Sequence, residues 1–279
     1  MPNRLNRGAA RHLNLLVVIA GCCALIACLL PAPAVAGSFA VNCRFSHRLS
    51  DDPIVYAGQP GSSHSHDFFG ARSTTAGSTY AAMVGSRSTC TDRADTAGYW
   101  HPTLYVGATA VRGVMTAYYS RGGKATVRAY PRGLRVVAGN GHAGAAQSRR
   151  IVFWRCVGSG SRLRYAGPVS CPIGARLGVQ VNFPDCWNGR DLDSSNHRSH
   201  LRYSARGRCP ASHAEPLPRL ELRVTWPVRP QPGQVSLASG APYTMHADFW
   251  NTWQQRRLRA LVNRCLNLVV HCGTVRASA

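Results

Sequence analysis

Val114-Met115-Thr116-Ala117-Tyr118-Tyr119-Ser120, Arg121-Gly122-Gly123-Lys124, Ala125-Thr126-Val127-Arg128-Ala129-Tyr130, Pro131-Arg132-Gly133 and Leu134-Arg135-Val136-Val137-Ala138 follow one another without a break. Val, Thr and Tyr favour the pleated strand, whereas paired Gly and the Pro-x-Gly step favour tight turns. The run therefore reads as three short strands, 114–120, 125–130 and 134–138, with turns between them. The same rhythm continues outward. Downstream, Ile151 to Val157, Leu177 to Phe183 and Leu220 to Trp226 are apolar, β-branched runs. Upstream, Trp100 to Val106 starts a strand with Pro102 at its edge, and Ser38 to Ser46 alternates around Cys43. Many short strands with Gly and Pro punctuation predict a mainly β fold, sandwich or jelly-roll-like, with long loops. One segment departs from the rhythm. From Phe249 to Val270 there is no Gly or Pro, and Trp250, Trp253, Leu258, Leu261, Val262, Cys265 and Leu266 recur at helical spacing. This predicts one C-terminal amphipathic helix packed on the sheets.

The first 36 residues read as a leader. Arg4, Arg7 and Arg11 precede the apolar run Leu15 to Leu30, and Ala34-Val35-Ala36 forms a cleavage site before Gly37. A signal peptide over 1–36 and a single β-rich domain over 37–279, secreted or periplasmic, is the expected partition. Ile19-Ala20-Gly21-Cys22 and Leu25-Ile26-Ala27-Cys28 resemble a lipid-attachment pattern, so lipoprotein anchoring is the competing reading. No later run is long enough to span a bilayer.

Charge is lopsided: 33 basic against 11 acidic residues, formally +22, and +19 once the three leader Arg are gone. Lys124 is the sole Lys. Such an excess favours polyanions. No helix-turn-helix, RNA-recognition or zinc-finger pattern is present, which argues against nucleic acid. Charge alone does not choose between anionic lipid and polysaccharide, and acidic or cell-wall polysaccharide is the expected partner. Beyond the leader stand Cys43, Cys90, Cys156, Cys171, Cys186, Cys209, Cys265 and Cys272. An even count without a C-x-x-C pair points to disulfides, with Cys156–Cys171, Cys186–Cys209 and Cys265–Cys272 as the local pairings.

Three polar clusters carry the candidate chemistry: His64, His66 and Asp67; Asp191, Asp193, His197 and His200; His246 and Asp248. Residues two apart on a strand share a face, which aligns His64 with His66 and His246 with Asp248. Residues three apart on a helical turn converge, which aligns His197 with His200. The expectation is one pocket with His64, His66, Asp67, His197, His200, Tyr203, His246 and Asp248 as catalytic groups. Trp100, Tyr119, Trp187, Arg198 and Arg202 are the expected substrate contacts. His64, His66 and His246 are the candidate ligands of a divalent metal. Plainer roles compete. Asp193, Ser194 and Asn196 are turn and cap formers, Asp248 can cap the C-terminal helix, and each Trp can be core.

Several stretches carry a resemblance. They are His64-Ser65-His66-Asp67-Phe68-Phe69-Gly70, Tyr99 to Tyr105, Pro131-Arg132-Gly133-Leu134, Phe183 to Gly189, Asp193 to His200 and His246-Ala247-Asp248-Phe249. In these the chain resembles the secreted family of fungi and bacteria catalogued as domain of unknown function nineteen ninety-six. Asn188 stands where that pattern leads one to expect Asp. The resemblance implies an exported protein with shared His and Asp motifs, and implies no activity.

For function, the residues support a polysaccharide lyase or glycoside hydrolase. Hydrolysis needs two carboxyls, and with Glu215 and Glu221 outside the clusters these fall to Asp67, Asp185, Asp191, Asp193 and Asp248. A lyase needs a cation for the uronate, Arg198 or Arg202, and a base, His197, His200 or Tyr203. The alternative is a non-catalytic extracellular protein that binds glycan or metal.

Overall fold

The computed structural model describes residues 37–231 and 233–276. The leader, with its cleavage and lipid-attachment readings, lies outside the described residues. In chain order the strands are β1 (Ser38–Cys43), β2 (Phe45–Leu49), β3 (His66–Gly70), β4 (Gly98–Pro102), β5 (Leu104–Val106), β6 (Thr109–Val111), β7 (Val114–Ser120), β8 (Arg135–Gly139) and β9 (Val152–Val157). Then come β10 (Arg176–Asn182), β11 (Cys186–Trp187), β12 (Leu201–Arg202), β13 (Glu215–Pro216), β14 (Arg219–Thr225), β15 (Val235–Leu237), β16 (His246–Trp250) and β17 (His271–Thr274). One helical turn, α1 (Tyr80–Met83), precedes the C-terminal helix α2 (Gln255–Leu261), which widens into a π-turn over Val262–Asn267.

Two sheets dominate. One has the order β17-β1-β7-β14-β10-β9, the other β2-β3-β4-β16-β8. Neighbours are antiparallel except β1 with β17. Alternation decides which side each residue faces. In β14, Leu220, Leu222 and Val224 are buried while Arg219, Glu221 and Arg223 are not. In β16, Ala247 and Phe249 join the same core. Phe39, Tyr119 and Leu222 of the six-stranded sheet and Phe69, Tyr99 and Phe249 of the five-stranded one lie in one apolar cluster between the layers. Aromatic contacts knit it: Phe39 with Tyr119 at 4.6 Å and Tyr99 with Phe249 at 5.2 Å between ring centroids. Such pairs add roughly 0.5–1.5 kcal/mol each beyond area burial. The expected mainly β, layered fold is present, with its C-terminal helix and four disulfides. Cys156–Cys171, Cys186–Cys209 and Cys265–Cys272 are the local pairs, and Cys43–Cys90 is the fourth. Among the described residues no helix is long and apolar enough to cross a membrane.

Two expectations fail locally. Residues 125–130 form no strand, although Val127 and Tyr130 are buried. Their backbone is satisfied mostly by side chains, with a single strand contact from Arg128 N to Pro216 O at 2.8 Å. The Asn267 amide accepts from Val127 N at 2.9 Å and donates to Val127 O at 3.0 Å, and Asn251 and Gln255 donate to Tyr130 O. The helix does not start at Phe249. His246-Ala247-Asp248-Phe249-Trp250 alternates as a strand paired on both edges, so the helix begins at Gln255 and its cap position is Gln254, not Asp248.

Candidate metal centre

The five-stranded sheet has a second, outward face. Its register sets Phe68, Trp100, Asp248 and Val137 in one cross-strand row. One step along, His66 pairs with Pro102, and the same register brings His246 level with that proline. The two imidazoles therefore rise from strands flanking β4, over a residue with a short side chain. Segment 51–64 covers this face and supplies Asp52, Ile54 and His64. Ile54, Phe68, Met83, Trp100, Val137 and Trp250 form a small apolar cluster beside the histidines.

The hydrogen bonds fix the tautomers. His66 Nδ1 bonds to Asp51 O at 2.9 Å, and His246 Nδ1 bonds to Thr244 O at 2.9 Å. A carbonyl only accepts, so each Nδ1 carries the proton and each Nε2 a lone pair. Those two Nε2 atoms stand 3.4 Å apart, lone pair against lone pair. His64 packs against both, with ring centroids 4.3 Å from His66 and 5.1 Å from His246. Its Nε2 is buried with no partner. One nitrogen from each of the three rings lies within 4.8 Å of the others, and Asp52, His66 and Asp248 form a second such group. Both Asp248 oxygens are buried without a hydrogen bond. Asp52 Oδ1 accepts from Ile54 N and Val55 N.

Burial sets the charge state. Loss of water pushes His64 down to about 4, aided by nearby His142. It pushes His246 down to about 3 and His66 well below its ordinary value, aided by the neighbouring rings. All three are neutral at pH 7, which is the ligating form. Burial drives the Asp248 carboxyl well above its usual range, with Asp52 adding to the rise and Arg198 opposing it. Burial also raises Asp52, against the pull of its two backbone N–H groups and His197. Three neutral imidazoles beside carboxyls suit a first-row transition ion. The carbonyl on the far nitrogen of His66 and His246 is the arrangement that orients ligating imidazoles. The loop after β8 lies flat on the His246 ring. A Cβ at Gly141 would sit 3.0 Å from His246 Cε1, so the position tolerates no side chain without a shift.

The expected residues divide sharply. His64, His66, His246 and Asp248 come together. Asp67 does not, because alternation turns it to the inner face, where Arg48 holds it at 2.6 Å and Thr103 donates to it at 2.9 Å. His200 is buried with both nitrogens engaged, Nδ1 by Ser194 and Nε2 by Arg135 O, so it orders its loop. His197 is tied to Asp193, and Tyr203 donates to Asn182 O. Trp100 and Tyr119 are fully buried, and Tyr119 lies in the core between the sheets, so neither ring is free to stack on a sugar. Trp187 is half-buried and donates to Asp191 O. Arg198 and Arg202 are exposed, and Arg198 acts electrostatically on His246 and Asp248. Asp52, Gly141 and His142 were not anticipated. Nothing in Asp51-Asp52-Pro53 or Asn140-Gly141-His142 marks one residue for the site.

The family described as domain of unknown function (DUF1996) matches residues 52–253, a span that includes every residue of the cluster. No curated protein and no solved structure matches the chain. The chain belongs to the DUF1996 family.

Proposed function

We propose that this member of the DUF1996 family is an exported protein that binds a first-row transition-metal ion through His64, His66 and His246, with Asp248 and Asp52 alongside. The observation that carries this is the pair of Nε2 lone pairs facing each other at 3.4 Å, next to the unpartnered His64 Nε2 and Asp248 carboxyl. Neutral imidazoles so arranged repel each other, and a buried unpartnered polar group costs about 1–3 kcal/mol. A cation removes both penalties at once. Export rests on the leader reading and agrees with four disulfides, which persist in oxidising compartments. The test is metal analysis and titration calorimetry of the purified protein with Zn²⁺ and Cu²⁺. One ion per chain is expected, lost in His66→Ala and His246→Ala. Failure of the wild type to take up either ion would end this reading.

A second reading adds catalysis on acidic or cell-wall polysaccharide. It is favoured by the half-exposed His64 edge, with exposed His142 close by and the exposed Arg198 guanidinium acting on His246 and Asp248. An ion bound there supplies a polarised water. The chain supplies Arg198 to attract a uronate carboxylate. Its check is turnover of a uronate polysaccharide panel by the metal-loaded protein, with Arg198→Ala slower. Metal binding without turnover would leave the non-catalytic role.

A further inference from the structure

At the Gly70 end of β3, about 13 Å along the strand from His66 at ~3.3 Å per residue, lies a different kind of place. A concavity of about 700 Å³ opens beside the Cys43–Cys90 disulfide. Arg44, Arg72, Arg93 and Arg276 line it, and no Asp or Glu does. Among the described residues, Arg44, Arg72 and Arg93 make no ion pair. All four are exposed. Like charges gathered without a counter-charge repel one another, so the pocket attracts anions.

Several neutral groups of the wall are engaged within the protein. Thr89 Oγ1 accepts from Gly70 N, Thr91 Oγ1 donates to Val275 O, Thr116 Oγ1 donates to Asn42 Oδ1, and Ser88 Oγ donates to Asp95 O. The charged donors are the guanidinium groups, whose planar forks match carboxylate or sulfate oxygens two at a time. Arg93 also gives one Nη1 bond to Ser88 O at 3.1 Å, which holds its fork in place. The frame under them is fixed. Arg72 N donates to Arg87 O, Arg44 N to Thr89 O and Thr91 N to Asn42 O, across the disulfide. A prepositioned backbone lowers the ordering cost of binding. Single-stranded nucleic acid needs an aromatic platform as well as charge. Phe45 is the one aromatic in the lining, and the Arg112 guanidinium covers its ring at 4.8 Å.

We propose that this arginine pocket is a binding site for acidic polysaccharide, taking the carboxylate or sulfate groups of adjacent sugar units. It does not depend on the histidine cluster holding an ion. The test is affinity measurement on the purified protein with galacturonate oligomers, their methyl esters, a sulfated glycan of similar length and single-stranded DNA. The charge-neutralising pair Arg44→Gln/Arg72→Gln is compared with Arg162→Gln/Arg256→Gln, two exposed arginines elsewhere that keep total charge matched. Binding of one or both anionic glycans should fall about tenfold or more in the pocket variant, the scale of a lost charge-assisted hydrogen bond. It should change by less than about twofold in the control pair. Whichever anionic glycan binds tighter identifies the group recognised. His66→Ala should bind as the wild type does. Equal losses in the two arginine pairs, undiminished affinity for the methyl esters, or tighter DNA binding with the same arginine dependence would each overturn the assignment.

Discussion

The two faces of the five-stranded sheet each bury a polar cluster, and only one of the two is complete. On the inner face Asp95 accepts from the Tyr99 hydroxyl with both oxygens, at 3.1 and 2.9 Å. Tyr99 and Tyr119 share a hydrogen bond, and Trp253 Nε1 donates to Tyr119 Oη at 3.1 Å. No polar side-chain atom of that group is left unpartnered. On the outer face His66 and His246 set lone pair against lone pair, and Asp248 accepts nothing. The same strands build both, since alternation along β4 and β16 sends neighbouring residues to opposite sides. A satisfied buried network rigidifies a fold, whereas an unsatisfied one leaves polar atoms that a bound water or ion can pair.

That contrast can be broken most forcefully on the inner face. Asp95→Ala should lower unfolding free energy by about 3 kcal/mol in urea melts, because it strips partners from the Tyr99 hydroxyl and the Ala97 N–H. A loss under about 1 kcal/mol would mean that completeness there matters little. Next in size is the response to metal. Zn²⁺ or Cu²⁺ at a hundredfold excess over its dissociation constant should stabilise the wild type by about 2.7 kcal/mol and leave His246→Ala unchanged.

Acidification sharpens the outer face further in metal-free protein. The folded His64 and His246 pKa values are depressed, to about 4 and about 3. Their contribution is therefore intact above about 6.5 and is lost as pH falls through those values. Wild type should lose stability relative to His64→Ala as pH drops from 7 to 4. Asp248 has the opposite sign. Its raised carboxyl contributes most below the usual carboxylate range and loses that contribution as pH rises. Asp248→Asn should gain on the wild type as pH increases, read from urea midpoints across the same series. The smallest effect expected is that of Gly141→Ala. Its methyl presses on the His246 ring, and a cost of about 1 kcal/mol with a weaker metal midpoint is the anticipated outcome.

Much of this was legible in the residues. β-branched, apolar runs between Gly and Pro turns marked β7, β8, β10 and β14, and burial alternates only along β7 and β14, since β8 and β10 are covered on both faces. The i, i+2 spacing of His64 with His66 and of His246 with Asp248 pointed to shared faces. Asp67, one residue from His66, was misplaced for the same reason: adjacent strand residues diverge. Residues 125–130 looked like a strand because Val127 and Tyr130 are apolar and buried, yet sequence cannot show that Asn267, 140 residues away, occupies the place of a neighbouring strand. His200 looked like Asp248's partner in chemistry. Only coordinates reveal that Ser194 and Arg135 O already use both its nitrogens. Asp52 carries no local signal, since its role comes from the fold of the covering segment.

The parallel pairing of β1 with β17 sets an order of events. Ser38 aligns with His271 and Ala40 with Thr274, while Gly37 lies so close to the Cys265 and Leu266 carbonyls that a methyl there would collide at 2.6 Å. A chain made from its amino end thus exposes one edge of its opening strand throughout synthesis, an invitation to mispairing. β17 covers that edge of β1 and becomes the outer strand in its place, so a nascent molecule halted before residue 271 should be recognisable by its sticky, uncovered β1 border.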